Sequence, residues 1–358
     1  MNKVNRNEAA RQFIIEQLDR AETKSESDFE ILSEYEYLSQ ILVDLIEVRS
    51  MGFRGVVATA LTGLHLDPDF DPLKNFYACN PRSIFENGIF YAYQGRIPCG
   101  KSDPLNVAKN QNELDYKWAK GKRPQKSAEA VVDFLSLFMS AKDSEKDLIR
   151  DFYFYRLLKY SKKVAEIRIT TPNDNELSSQ ELAHRLVEFV YKYPESGTIP
   201  QYITSLLLKY IYSSTEIDVK GGDESVFGTN TTSKKPADIW LEKSGNVINL
   251  YEITVKKVDF KRLDDSLQSL QSLNMENENI HFICRIPEDI ITLSNVNDNT
   301  IYYKGKKFNF LDLKGFILSL ITLLSKEQLK MVIDNAIIFI NKIDRPISTK
   351  DGWNSIFK

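Results

Sequence analysis

Cysteine and histidine are scarce in this chain. Its 358 residues include three of each: Cys79, Cys99 and Cys284, and His65, His184 and His281, all far apart. No CxxC pair occurs, so neither a disulfide framework nor a structural zinc site is expected. The histidines read as packing or surface positions. Long apolar runs are missing too. None reaches the roughly 18 residues that one membrane-crossing helix takes. The opening MNKVNRNEAARQFIIEQL is polar and then amphipathic, without the apolar stretch of a secretory signal. These absences lead to the expectation of a cytoplasmic protein with no membrane partner. A basic excess is also lacking, since the formal net charge is −3. That weighs against a chain that coats polyanions with its whole surface, but it leaves room for a local basic cleft.

What is present is an ordinary globular balance, 42% hydrophobic and 27% charged, with chain enough for one large domain or two moderate ones. No repeat or low-complexity tract interrupts it. Residues 7–50 carry helical spacing in NEAARQFIIEQLDRA and EYEYLSQILVDLIEVR. Between 52 and 100, prolines, Asp and Asn accumulate, and loops with short elements are expected. KSAEAVVDFLSLFMSA and SEKDLIRDFYFYRLLKYSKK read as helices, the second opened by Ser144. SSQELAHRLVEFVYKY reads as another, with Ser178 and Glu181 at capping-box spacing. YKYPESGTIP then breaks the pattern. A boundary there divides the chain into a mainly helical region, 1–195, and an α/β region, 196–358.

The second region opens with a helix expected at about 201–213, followed by a candidate strand, TEIDVKGG. ADIWLE and VINLYEITVKK alternate in the manner of strands around KSGN, which is hairpin-turn chemistry. DFKRLDDSLQSLQSL is an amphipathic helix, NIHFICRIP a buried strand, and two helices follow near 310–325 and 326–342.

The chemistry concentrates in this hairpin. Asp238 opens one strand and Glu252 lies in the next, so pairing around KSGN sets them near each other. Strand alternation continued beyond Glu252 would put Thr254 and Lys256 on the same face, with Tyr251, Ile253 and Val255 on the other. Two carboxylates brought together repel unless a cation bridges them. Mg²⁺, which prefers hard oxygen ligands, is the natural candidate, held by Asp238, Glu252 and the Ile253 carbonyl. Elsewhere, the segment 109–126 carries Lys120, Lys122 and Arg123 at a loop tip marked by Gly121 and Pro124, where they can meet phosphates. Glu216, Asp218 and Gln268 are weaker candidates for additional site groups.

The order helix, strand, strand with Asp, strand with Glu, helix, strand resembles the PD-(D/E)xK nuclease core, over roughly residues 200–287. KPADI looks like the first acid of that superfamily, and LYEITVK like its second acid and lysine. The Lys234–Lys235 pair also fits, as DNA contacts. YACNPRSIFENGIF and IPCGKSDPLNVAKN bear a fainter likeness to type II restriction enzymes and suggest Arg82, Lys101 and Asn106 as DNA contacts. The resemblance implies an α/β (α+β) fold with a restriction-endonuclease-like core, a mixed central sheet flanked by helices. It implies a Mg²⁺-dependent endonuclease that cuts double-stranded DNA at specific sequences, as a type II restriction enzyme does: a homodimer suits a two-fold-symmetric site, and a cognate DNA methyltransferase is the expected companion. A repair or mobile-element nuclease, or a non-catalytic DNA-binding subunit, are the alternatives. Two departures stand out. Ala237 intervenes between Pro236 and the first Asp. Thr254 occupies the lysine position two residues after Glu252, which leaves Lys256, or Thr254 itself, to take the lysine role.

Overall fold

The computed structural model describes residues 3–48, 50–172, 177–222, 235–275 and 279–358. The chain forms two compact units. The first comprises Met1–Arg168 and Lys342–Ile347, the second Ile169–Asn341 and Ser348–Lys358. The division therefore falls before the helix Ser179–Lys192, not after it. That helix buries Leu182, Leu186, Phe189 and Val190 in the core of the second unit, which explains its side of the boundary.

The first unit is helical among its described residues. Its long helices are α1 (Lys3–Glu22), α2 (Tyr35–Ile46), α3 (Gly52–Leu66), α4 (Gln125–Ser140) and α5 (Asp143–Ala165). Helix α3 corrects the expectation of loops from residue 52. Every residue from Gly52 to Gly63 is buried, so its sequence shows no polar face and no amphipathic period. Thr59 and Thr62 satisfy their hydroxyls by donating to the Gly55 and Ala58 carbonyls, one turn back. Short helices between residues 72 and 120 agree with the reading of that stretch. Helix α5 begins at Asp143, one residue before the expected opening.

The second unit is built on a six-stranded mixed sheet: β1 (Ile217–Gly221), β2 (Ile239–Lys243), β3 (Asn246–Ile253), β4 (Asn279–Cys284), β5 (Thr300–Tyr303) and β6 (Lys306–Asp312), in the order β1-β2-β3-β4-β6-β5. The pairs β1/β2, β2/β3 and β5/β6 are antiparallel, whereas β3/β4 and β4/β6 are parallel. Its long helices are α6 (Ser179–Lys192), α7 (Thr198–Ile211), α8 (Phe260–Ser272), α9 (Leu313–Thr322), α10 (Lys326–Asn341) and α11 (Ile347–Phe357). The chain is thus mixed α/β with an open mixed sheet and many helices. No described helix is long and apolar enough to cross a membrane.

Local signals explain most elements. Ser178 Oγ accepts from Glu181 N, and Glu181 Oε2 accepts from Ser178 N, which closes the expected capping box at α6. Helix α7 starts before Pro200 because a first-turn proline lacks a donor that would have gone unpaired there anyway. In the β2/β3 turn, Ser244 and Gly245 have φ of 50° and 79°, the left-handed pair that a two-residue hairpin requires. Lys304 and Gly305, with φ of 48° and 76°, repeat this at the β5/β6 turn, a hairpin not among the elements expected from the sequence. Helix α11 was also missed.

Two apolar layers enclose the sheet. On one face, Ile239, Leu241, Tyr251, Ile253 and Ile283 pack with α6, α7, α9, α10 and α11. On the other, Leu250, Phe282 and Phe308 pack with Leu263, Leu267 and Leu270 of α8. Trp353 anchors α11: its Nε1 donates to the Thr170 carbonyl at 2.8 Å, and its ring meets Phe189 edge-on at 5.0 Å. Trp353→Ala should cost about 3–5 kcal/mol of stability. A urea titration followed through the second unit's unfolding would read this as a lowered midpoint with little change in slope.

Candidate functional site

Asp238 sits just ahead of β2, where the β1 end and α7 grip its backbone. Gly222 N donates to the Asp238 carbonyl at 3.1 Å, and Gln201 Nε2 of α7 donates to the same oxygen at 3.4 Å. Ser205 Oγ, also on α7, donates to the Gly221 carbonyl at 3.1 Å. Two glycines make this possible. A Cβ on Gly221 would lie 2.2 Å from the Asp238 carbonyl oxygen, and one on Gly222 would lie 2.1 Å from the Ser205 Cβ. Both also have φ near +80°, at 76° and 83°, where glycine alone is unstrained.

The β2/β3 register pairs Ile239 with Tyr251, and extending it by one residue sets Asp238 opposite Glu252. The two carboxyls are hydrogen-bonded to each other. Asp238 Oδ2 also accepts from Ile253 N at 2.9 Å. Glu252 is 4% exposed and lies under α8, whose Ser266 Oγ donates to its Oε1 at 3.2 Å. The hairpin face that carries the acids is therefore roofed by a helix rather than open along its length.

Burial pushes the Asp238 carboxyl above its ordinary range. The Ile253 N–H, the Arg262 guanidinium, the Glu252 hydrogen bond and the Lys235 ammonium act the other way. Without a metal, the pair has to share a proton, because two bare carboxylates at hydrogen-bonding distance repel. No set of three or more His, Cys, Asp and Glu side chains gathers to hold a metal among the described residues. The oxygen donors of this site are thus two carboxylates beside the Ile253 peptide.

Beyond Ile253 the expected alternation fails. Strand β3 ends there, and Thr254 turns the chain: its N–H donates to the Ile283 carbonyl at 3.0 Å, and its Oγ1 accepts from Lys256 N at 3.1 Å. Thr254 is buried and Lys256 is exposed in the turn. The turn is pinned from below. Arg285 Nη2 donates to the Val255 carbonyl while Asp289 holds Arg285 at 2.9 Å, and Val258 N donates to the Asp289 carbonyl at 2.6 Å.

Two site groups escaped the sequence reading, Arg262 and Ser266. They lie one turn apart on α8, whereas Gln268 faces elsewhere and lines a cleft of about 320 Å³ with Asp264, Leu267 and Lys304. Leu263, Leu267 and Leu270 mark the apolar face of α8 in the sequence, but nothing local says that the adjoining Arg262 and Ser266 meet the acids. Glu216 and Asp218 are exposed and face Lys243 at 3.5 Å and Lys220 at 3.8 Å, respectively.

The remaining candidates lie on the first unit, apart from Lys235, which is half-buried beside Asp238, and Lys234, which lies outside the described residues. Lys101, Asn106, Lys120 and Arg123 are exposed. Glu86 links two of the segments: Ser102 Oγ donates to it at 2.8 Å, and Arg82 Nε is 4.0 Å away. Trp118 Nε1 donates to the Val107 carbonyl at 3.1 Å, and Lys122 Nζ stands 5.7 Å from the Trp118 ring centroid. The lysine loop is therefore tied to the helix that carries Asn106.

No protein-family model matches the chain, and no curated protein matches it in sequence.

The raised Asp238 carboxyl has a definite sign. A folded state that binds this proton more tightly than the unfolded chain loses that stability as pH rises from the ordinary aspartate range through the raised value. Asp238→Asn keeps an acceptor for Ile253 N and removes the conflict. At pH 8 without divalent cations it should melt at a higher temperature than the parent, and the gap should close as pH falls to 4. Equal melting temperatures at both pH values would refute a strained pair.

Proposed function

We propose that the chain is a Mg²⁺-dependent endonuclease with a restriction-endonuclease-like core, hydrolysing phosphodiester bonds of double-stranded DNA at Asp238 and Glu252. The observation that carries this reading is the contact, across the β2/β3 hairpin, between the buried Glu252 carboxyl and the half-buried Asp238 carboxyl. The order α7, β1, β2, β3, α8, β4, with an antiparallel β1-β2-β3 and a parallel β4, is the order on which the resemblance to PD-(D/E)xK nucleases rests.

The donor set suits the metal. Mg²⁺ is commonly held by one or two carboxylates, with water and substrate oxygens completing its shell. Asp238 and Glu252 would hold such an ion, and its charge would relieve the repulsion between the two carboxylates. When bound, such an ion supplies an activated water and neutralises charge that builds on the phosphate. Ser266 fixes the Glu252 carboxyl, the Ile253 N–H fixes that of Asp238, and α8 keeps bulk water from the buried side. Lys235, Lys256, Lys257 and Lys261 flank the acids along the chain and fit a polyanionic substrate. In this reading the first unit contributes DNA contacts through Arg82, Lys101, Asn106, Lys120, Lys122 and Arg123. Cutting both strands calls for a homodimer.

Asp238→Ala and Glu252→Ala should each abolish Mg²⁺-dependent cleavage of supercoiled and linear DNA while leaving DNA binding in place, since neither change removes positive charge. Binding by the parent with no cleavage under Mg²⁺ or Mn²⁺ would instead favour a non-catalytic DNA-binding subunit, as the missing lysine at Thr254 would allow.

The basic loop makes a separate prediction. Phosphate contacts release counterions, at a slope of about 0.9 in log K against log salt per contact. Joint replacement of Lys120, Lys122 and Arg123 by alanine should weaken binding to all DNA sequences and flatten that slope by about 2 to 3. An unchanged slope would mean that the loop only meets solvent.

A further inference from the structure

The carboxyl pair needs a cationic partner for a phosphate, and its own strand does not provide one. Thr254 stands two residues after Glu252, buried and engaged in a turn, and Lys256 is exposed within that turn. Helix α8 covers the same face. Asp259 caps it by accepting from Arg262 N at 2.9 Å. One turn further on, Ser266 Oγ contacts both the Arg262 carbonyl at 3.3 Å and Glu252 Oε1 at 3.2 Å. These contacts set the rotation of α8 about its axis, with Arg262 and Ser266 on the face that meets the acids. Arg262 is half-buried, and its charge acts on Asp238.

We propose that Arg262, carried on the helix rather than on the strand, is the catalytic cation of this site, its guanidinium contacting the non-bridging oxygens of the scissile phosphate. This rests on the nuclease reading above. A guanidinium suits the role because its planar fork matches two phosphate oxygens at once and keeps its charge at any working pH. Its partner at the far end of the same turn, Ser266, is a positioning residue: it holds Glu252 and acts through it.

The test compares Arg262→Ala, Arg262→Lys, Lys256→Ala and Lys235→Ala with the parent, in full-length protein with Mg²⁺ and saturating DNA. Single-turnover cleavage rate and DNA affinity are measured separately. Arg262→Ala should lower the rate by about 10²–10³-fold with affinity little changed, the size of loss typical for removal of one transition-state stabiliser. Added guanidinium ion should restore part of it. Arg262→Lys should recover only part of the rate, because an ammonium cannot make the forked contact. Lys256→Ala should weaken DNA affinity while its single-turnover rate at saturating DNA falls far less than that of Arg262→Ala. Should the alanine variant lose its fold, Arg262→Gln, of similar reach and uncharged, replaces it. Parental rates in these Arg262 variants, a loss confined to affinity, or a loss of rate carried by Lys256→Ala or Lys235→Ala alone would each overturn the assignment. A parent that cleaves no DNA with Mg²⁺ or Mn²⁺ fails earlier, and brings down the nuclease reading along with this inference.

Discussion

Everything around the hairpin answers to one electrostatic constraint: the buried Glu252 carboxyl and the half-buried Asp238 carboxyl stand within hydrogen-bonding distance of each other. Taking a carboxylate out of water is costly unless a proton, a hydrogen bond or a cation compensates. The neighbouring atoms supply part of this. The Ile253 N–H serves Asp238, Ser266 serves Glu252, and the positive charges of Arg262 and Lys235 bear on Asp238. What remains is the repulsion between the acids, which either a shared proton or a cation would relieve.

Holding two groups in such tension requires rigid surroundings. The strand ends on either side of the pair are fixed by contacts that tolerate little displacement. At the β1 end, Gly221 and Gly222 let α7 and the Asp238 backbone approach to distances that any side chain would prevent. After β3, the turn beginning at Thr254 is tied to β4 through Ile283 and to the Arg285–Asp289 pair. Each acid is thus placed by backbone hydrogen bonds, and α8 closes over them with its apolar face on Leu250 and Phe282.

Much of this was legible in the sequence, and the failures have physical causes. The hairpin could be read because KSGN demands a left-handed pair and the flanking residues alternate, and the capping box at Ser178 because its signal is local. Helix α3 escaped because complete burial erases the contrast between faces on which periodicity depends. Thr254 and Lys256 were assigned to the Glu252 face by extending a strand past the residue where a side-chain hydroxyl captures the backbone and bends it. Arg262 and Ser266 escaped because their importance comes from a helix rotation set by long-range packing. No single window of sequence contains both partners of the Ser266–Glu252 contact in a recognisable pattern.

The path of the chain between its two units has a consequence for how the molecule can be taken apart. The backbone leaves the first unit after Arg168, returns to it for Lys342–Ile347, and ends in the second. Neither unit is a continuous stretch, so no truncation at one point releases either of them whole. A fragment ending at Arg168 lacks a strip of its own unit, and one starting at Ile169 carries that strip as foreign cargo between α10 and α11. Fusion or limited proteolysis would have to respect three crossing points rather than one, and a circular permutant opened within 342–347 would rearrange them.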